Sequence, residues 1–136
     1  MRPFLAAFVI FTALATSAPS CSVVPVVQYA DQPILTSSGK PPALERVRQA
    51  VVAAAVAQGW TLATPGDGEL VATLVVRGRH TIVFDIKFTT EKYSLTYKDS
   101  TNMKYEVIDG VGRIHPNCNA WTQDLVNAIN RELLKP

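Results

Sequence analysis

Between residues 80 and 98 the chain alternates between apolar and polar side chains. Ile82, Phe84, Ile86 and Phe88 fall on one side, and Thr81, Val83, Asp85 and Lys87 on the other. Tyr93, Leu95 and Tyr97 then alternate with Ser94, Thr96 and Lys98. Period-two alternation predicts strands with one buried and one wet face. Residues 69–77 are rich in Val, Leu and Thr and predict another strand, and residues 60–63 a short one closed by the turn Pro65-Gly66-Asp67-Gly68. Gly78-Arg79 and Thr89-Thr90-Glu91 are too short for crossovers, so these strands form an antiparallel meander. Residues 105–108 add a short last strand, after which Gly110, Gly112 and Pro116 break the pattern.

Helical periodicity flanks the meander. Leu44, Val47, Val51, Ala54 and Ala55 recur at helical spacing across residues 42–58, with an Ala-rich centre and Gly59 as the stop. Trp121, Leu125, Ala128, Ile129 and Leu133 stripe a final helix over 118–134, with Asn117 as its expected N-cap. The order helix, strands, helix predicts an α+β fold. It is a two-layer sandwich with an antiparallel sheet of three to four strands, an N-terminal and a C-terminal helix packing on one face. Residues 42–136 are then a single domain, without internal repeats.

The first 20 residues follow a different rule. Met1-Arg2-Pro3 is a basic start, residues 4–15 are almost uninterrupted apolar side chains, and Thr16, Ser17, Ala18, Pro19 and Ser20 are small. That three-part pattern is a secretory signal peptide, 1–20. Its apolar run is well short of the ~20 residues that span a bilayer. Cys21 follows directly, and two readings stand side by side. In one, Ala18-Pro19-Ser20-Cys21 serves as an imperfect lipobox and Cys21 takes the lipid. In the other, ordinary cleavage after Ala18 or Ser20 leaves a plain thiol, free to pair with Cys118, the one other cysteine. Residues 21–41, rich in Pro, Ser and Gly, read as a lipid-anchored tether, with residues 24–29 able to lie as an extended edge on the domain.

Composition narrows the chemistry. Apolar residues make up 48% of the chain, enough to supply a core, and charged residues 18%. The net charge is +2, and Arg2 of the leader contributes one unit of it. A near-neutral domain carries no electrostatic footprint for nucleic acid, so none is expected as a partner. His80 and His115 stand alone, without Cys or His at ligand spacing, and no metal or cofactor is expected. His115 and Cys118 lie three residues apart at a helix start, where a thiol can acidify, but no nucleophile signature surrounds them. Asp85-Ile86-Lys87 matches a nuclease fragment that alternating strands produce by chance. Gly66-Asp67-Gly68 and Gly110-Val111-Gly112 lack the following Lys or Ser/Thr helix of a phosphate loop. A non-enzymatic role is expected.

The run from Tyr93 to Tyr105 holds Asp99, Ser100 and Asn102, and Ile114-His115-Pro116-Asn117-Cys118-Asn119-Ala120-Trp121 follows it. Together they resemble a group of small uncharacterised lipoproteins of Gram-negative bacteria, departing from it where Cys118 replaces a common Tyr. The resemblance implies an envelope lipoprotein and no particular activity. By analogy with other lipoproteins, Ser22 after Cys21 favours the outer membrane, on its periplasmic side. Asp99, Ser100 and Asn102 suit a turn held by side-chain hydrogen bonds. His115 and Asn119 are expected to pin the loop to that turn, and Trp121 to staple the helix to the sheet. Tyr97, Asp99, Ser100, Asn102, His115, Asn119 and Trp121 are the candidate ligand or partner site. The expected partners are the membrane, through the N-terminal lipid, and another envelope protein. The alternative is a soluble periplasmic binder of a small ligand in a pocket near Tyr97, Asn102, His115 and Trp121.

Overall fold

The computed structural model describes residues 22–136; the leader and Cys21, with the lipidation expected there, lie outside the described residues. In chain order the elements are β1 (Val24–Pro25), β2 (Tyr29–Pro33), α1 (Leu44–Ala57), β3 (Thr61–Gly66), β4 (Glu69–Val76), β5 (His80–Phe88), β6 (Lys92–Thr101), β7 (Glu106–Ile108), β8 (Val111–Ile114) and α2 (Asn117–Leu134). The fold is α+β. Five antiparallel strands make the main sheet in the order β2-β6-β5-β4-β3, and a small antiparallel sheet has the order β1-β8-β7.

The meander pairs as its alternation dictates. Leu70, Ala72 and Leu74 of β4, Ile82, Phe84, Ile86 and Phe88 of β5, and Tyr93 and Leu95 of β6 are all buried. They share one core with Val47, Val51 and Ala54 of α1 and Leu125, Ile129 and Leu133 of α2. Both helices therefore cover the same sheet face. The helices are also tied to each other: the Arg46 guanidinium on α1 donates to the carbonyls of Glu132 at 2.9 Å and Lys135 at 3.2 Å. The Glu132 carbonyl also accepts the Lys135 N–H at 3.2 Å, but carbonyls at a helix end lack the usual donor four residues on, so a cation there adds hydrogen bonds and suits the helix dipole.

The sheet is wider than three to four strands because the expected tether joins it. Of residues 21–41, the stretch from Val24 to Pro33 supplies β1 and β2, pairing Val24 with Ile114 and Tyr29 with Leu95. Pro25 and Pro33 fit because both strands lie at sheet edges, where a missing N–H breaks no ladder. Ile34 continues the attachment through its N–H to the Glu91 carbonyl, 2.8 Å. The domain thus begins by residue 24 rather than at 42.

One irregularity shapes the site. In the β5–β6 ladder Phe84 faces Tyr97 and Val83 faces Asp99, which leaves Lys98 as an extra residue, a β-bulge. Simple alternation would turn Asp99 toward the core. The bulge instead turns Ser100 inward opposite Ile82 and leaves Asp99 on the wet face opposite Val83. Burying an unpaired carboxylate would be costly, so this register is the stable one.

Candidate functional site

The end of the sheet where β4 turns into β5 and β6 runs out carries a cleft of about 470 Å³. Two loops and one helix start build it. The β4–β5 turn brings Arg77, at φ +54° and followed in the turn by Gly78 at +68°. The loop after β6 brings Asn102 and Lys104, both at φ +55°. The start of α2 brings Asn117 and Trp121. The loops are laced together. The Asn102 side-chain amide donates to the Arg79 carbonyl at 2.9 Å, and the Asn102 carbonyl accepts from His80 Nδ1 at 2.9 Å. A carbonyl can only accept, so that bond places the His80 proton on Nδ1.

His115 has the opposite arrangement. Its Nδ1 accepts the N–H of Asn117 at 3.2 Å, which leaves its own N–H on Nε2. Its backbone N–H donates to the Met103 carbonyl at 2.9 Å. The 102–104 loop is thus held by the backbone of residue 115 and not by the His115 side chain, whose ring instead satisfies a free donor at the start of α2. This corrects the N-cap: Pro116, at φ −54° and ψ −29°, occupies that position, and Asn117 is already helical.

The candidate residues divide into three groups. Asn102, His115 and Trp121 line the cleft. Tyr97, Asp99, Ser100 and again Asn102 line a shallower depression beside it, sharing Met103 and Lys104 with the cleft. There the Tyr97 and Ser100 hydroxyls meet at 2.7 Å, the product of the bulge, and Tyr105 stacks on Tyr97 with centroids 4.4 Å apart. Burial raises the Tyr97 hydroxyl above its ordinary pKa, opposed by the Ser100 hydrogen bond. Asp99 does not form the expected turn; it is in β6, accepting the Ser100 N–H at 2.8 Å. The turn comes later, at Asn102.

Asn119 lies apart from both depressions. Its Oδ1 accepts the Val27 N–H and its Nδ2 donates to the Pro25 carbonyl, both at 2.9 Å. It fastens the link between β1 and β2 to α2, not the loop to the turn. Asn119→Ala is expected to cost about 1–2 kcal/mol, the net worth of two partly exposed hydrogen bonds. Amide exchange at Val27 should accelerate well beyond that of the β5 amides. A urea titration with hydrogen exchange checks both; unchanged protection at Val27 would remove Asn119 from this role.

Sequence reasoning missed Arg77, His80, Met103 and Lys104. A signal was present: in an antiparallel meander the β4–β5 turn and the end of β6 lie at the same end of the sheet. Among the described residues Cys118 has no disulfide partner; it lies fully buried beneath this region, and burial pushes its thiol up to about 12. A neutral thiol facing the core is not a nucleophile. Among the described residues no group of three or more His, Cys, Asp or Glu converges to hold a metal, and no helix is long and apolar enough to cross a membrane.

Comparison with known proteins adds no constraint: no family model, no curated protein and no solved structure matches the chain.

Proposed function

We propose that the chain is a cell-envelope lipoprotein, exported by residues 1–20 and anchored through Cys21, whose domain binds a ligand or envelope partner without catalysing a reaction. The export pattern and the adjacent cysteine support the address. The observation that carries the binding role is the cleft where Asn102, His115 and Trp121 meet. Its size falls within the ~300–1,000 Å³ of ordinary small-molecule sites, and it combines an aromatic wall with a few polar groups. The buried, neutral Cys118 supports the non-enzymatic reading, since the one thiol near a histidine is withdrawn from chemistry.

The fold gives the anchor a geometric consequence. β1 begins three residues after Cys21, a span of at most about 11 Å when extended. The register Val24↔Ile114 continues toward Val23 and His115, so the chain joins the fold beside the cleft. A lipid on Cys21 then holds the domain against the bilayer surface, with the His115 end toward it.

Cys21→Ser is expected to move the protein from the detergent-extracted membrane fraction to the soluble periplasmic fraction. Mass spectrometry of the wild-type N-terminus should show a lipid-modified Cys21 as the first residue. A cytosolic protein retaining Met1 would overturn the reading. A processed but unmodified Cys21 would favour the soluble periplasmic binder.

A further inference from the structure

We propose that the cleft binds a phosphate ester, with the phosphate between Arg77 and Lys104 and the ester's apolar part against Trp121. This deepens the binding role proposed above and rests on it. Four observations carry it. Arg77 and Lys104 line the cleft from two different loops, and no carboxylate lines it with them. Neither side chain has a hydrogen bond or ion pair among the described residues, although six other Lys or Arg side chains of the domain do. Both cations sit on left-handed backbone, at φ +54° and +55°. Residues with a Cβ disfavour that region by roughly 1–2 kcal/mol, and such strain collects at functional sites. Finally, the ring bonds of His115 leave Nε2–H as a donor for an occupant.

The chemistry of the ligand follows. Donors on separate loops approach from different directions, which suits a tetrahedral phosphate, able to accept around its whole surface. At about 470 Å³ the cleft is far larger than a bare phosphate, and Val76, Met103 and Trp121 give the remainder an apolar lining. Two sources share this chemistry. One is an anionic phospholipid of the membrane, brought to the cleft by the short span to Cys21. The other is a free phosphate ester.

The test uses the processed protein carrying Cys21→Ser, so that no lipid anchor contributes. Chemical shifts of the Trp121 indole and the Asn102 and Lys104 amides report on the cleft. Trp60, 3% exposed in the core, is the internal control. The probes are dihexanoyl phosphatidylglycerol below its micelle concentration, dihexanoyl phosphatidylcholine, phenyl phosphate and inorganic phosphate. Saturable shifts at Trp121 with Trp60 unmoved are expected for phosphatidylglycerol or phenyl phosphate, and the tighter of the two assigns the source. Arg77→Gln and Lys104→Gln should each weaken that binding about tenfold, the worth of one charged hydrogen bond. Both side chains are exposed, so both variants should unfold in urea as the parent does. Binding of phosphatidylcholine as tight as phosphatidylglycerol and indifferent to both variants would overturn the anion site. Equal binding of inorganic phosphate would overturn the apolar subsite, and no shift at Trp121 with any probe would overturn the whole proposal. The mass of the wild-type N-terminus reports the anchor independently of these results.

Discussion

Phe84→Ala is expected to destabilise the domain by about 4 kcal/mol, within the range for deleting a buried phenyl ring from a core. Small domains hold only ~5–15 kcal/mol in total, so this single change would remove a large share. Phe84 is fully buried at the centre of the main sheet. It meets Trp60 and Tyr97 edge-on, with centroids 6.4 Å and 5.9 Å apart and interplanar angles of 83° and 89°. Edge-to-face pairs add roughly 0.5–1.5 kcal/mol beyond area burial. The ring also begins a chain of contacts toward the cleft, because Tyr97 in turn stacks on Tyr105 at 4.4 Å. The variant should therefore loosen the 102–105 loop as well as the core. Phe84→Leu keeps most of the volume and should cost less than about 1.5 kcal/mol. Urea unfolding of the three proteins checks this. A loss below 1.5 kcal/mol for the alanine variant would show that the core collapses around the gap, and would deny Phe84 its central place.

The central strands and both helices were legible because burial on one side imposes a period, and residues 44–57, 80–88 and 117–134 carry theirs without interruption. β2 has no such period: Tyr29-Ala-Asp-Gln-Pro33 alternates weakly and ends in proline. Only pairing with β6 makes it a strand, and that pairing is a tertiary fact. β8 was hidden by Gly112, which reads as a breaker. In the fold it is a fitted residue: a Cβ there would lie 2.8 Å from the Tyr105 hydroxyl. Asn102, His115 and Trp121 could be proposed together because they belong to one polar stretch around the last loop. Arg77 and His80 come from a turn whose place beside them depends on the β5–β6 register. The bulge at Lys98 sets that register, and its one mark in the sequence is Asp99, a carboxylate where unbroken alternation would put a core residue.

Raising the pH above 9 is expected to erode stability steeply, and Cys118 should dominate the first part of the loss. Burial raises its thiol from 9.0 to about 12. Below pH 9 the thiol is neutral in both states and the stability is intact. Above pH 9 the unfolded chain releases the proton while the native state retains it until about pH 12. The folded state thus loses about 1.36 kcal/mol per pH unit across that window, to a limit of about 4 kcal/mol. Tyr93, buried with its hydroxyl donating to Asn130 Oδ1 at 2.7 Å, is raised from 10.0 to about 12 and steepens the loss above pH 10. Cys118→Ala separates the two groups. At pH 7 it should be less stable than the parent by about 1–2 kcal/mol, because a small cavity replaces the sulfur. It lacks the thiol's titration, so the two stability curves should cross about one pH unit above 9 and then diverge in the variant's favour. Curves that run parallel from pH 8 to 11 would mean that the Cys118 thiolate is tolerated in the native fold. The thiol would then be open to solvent and available as a nucleophile.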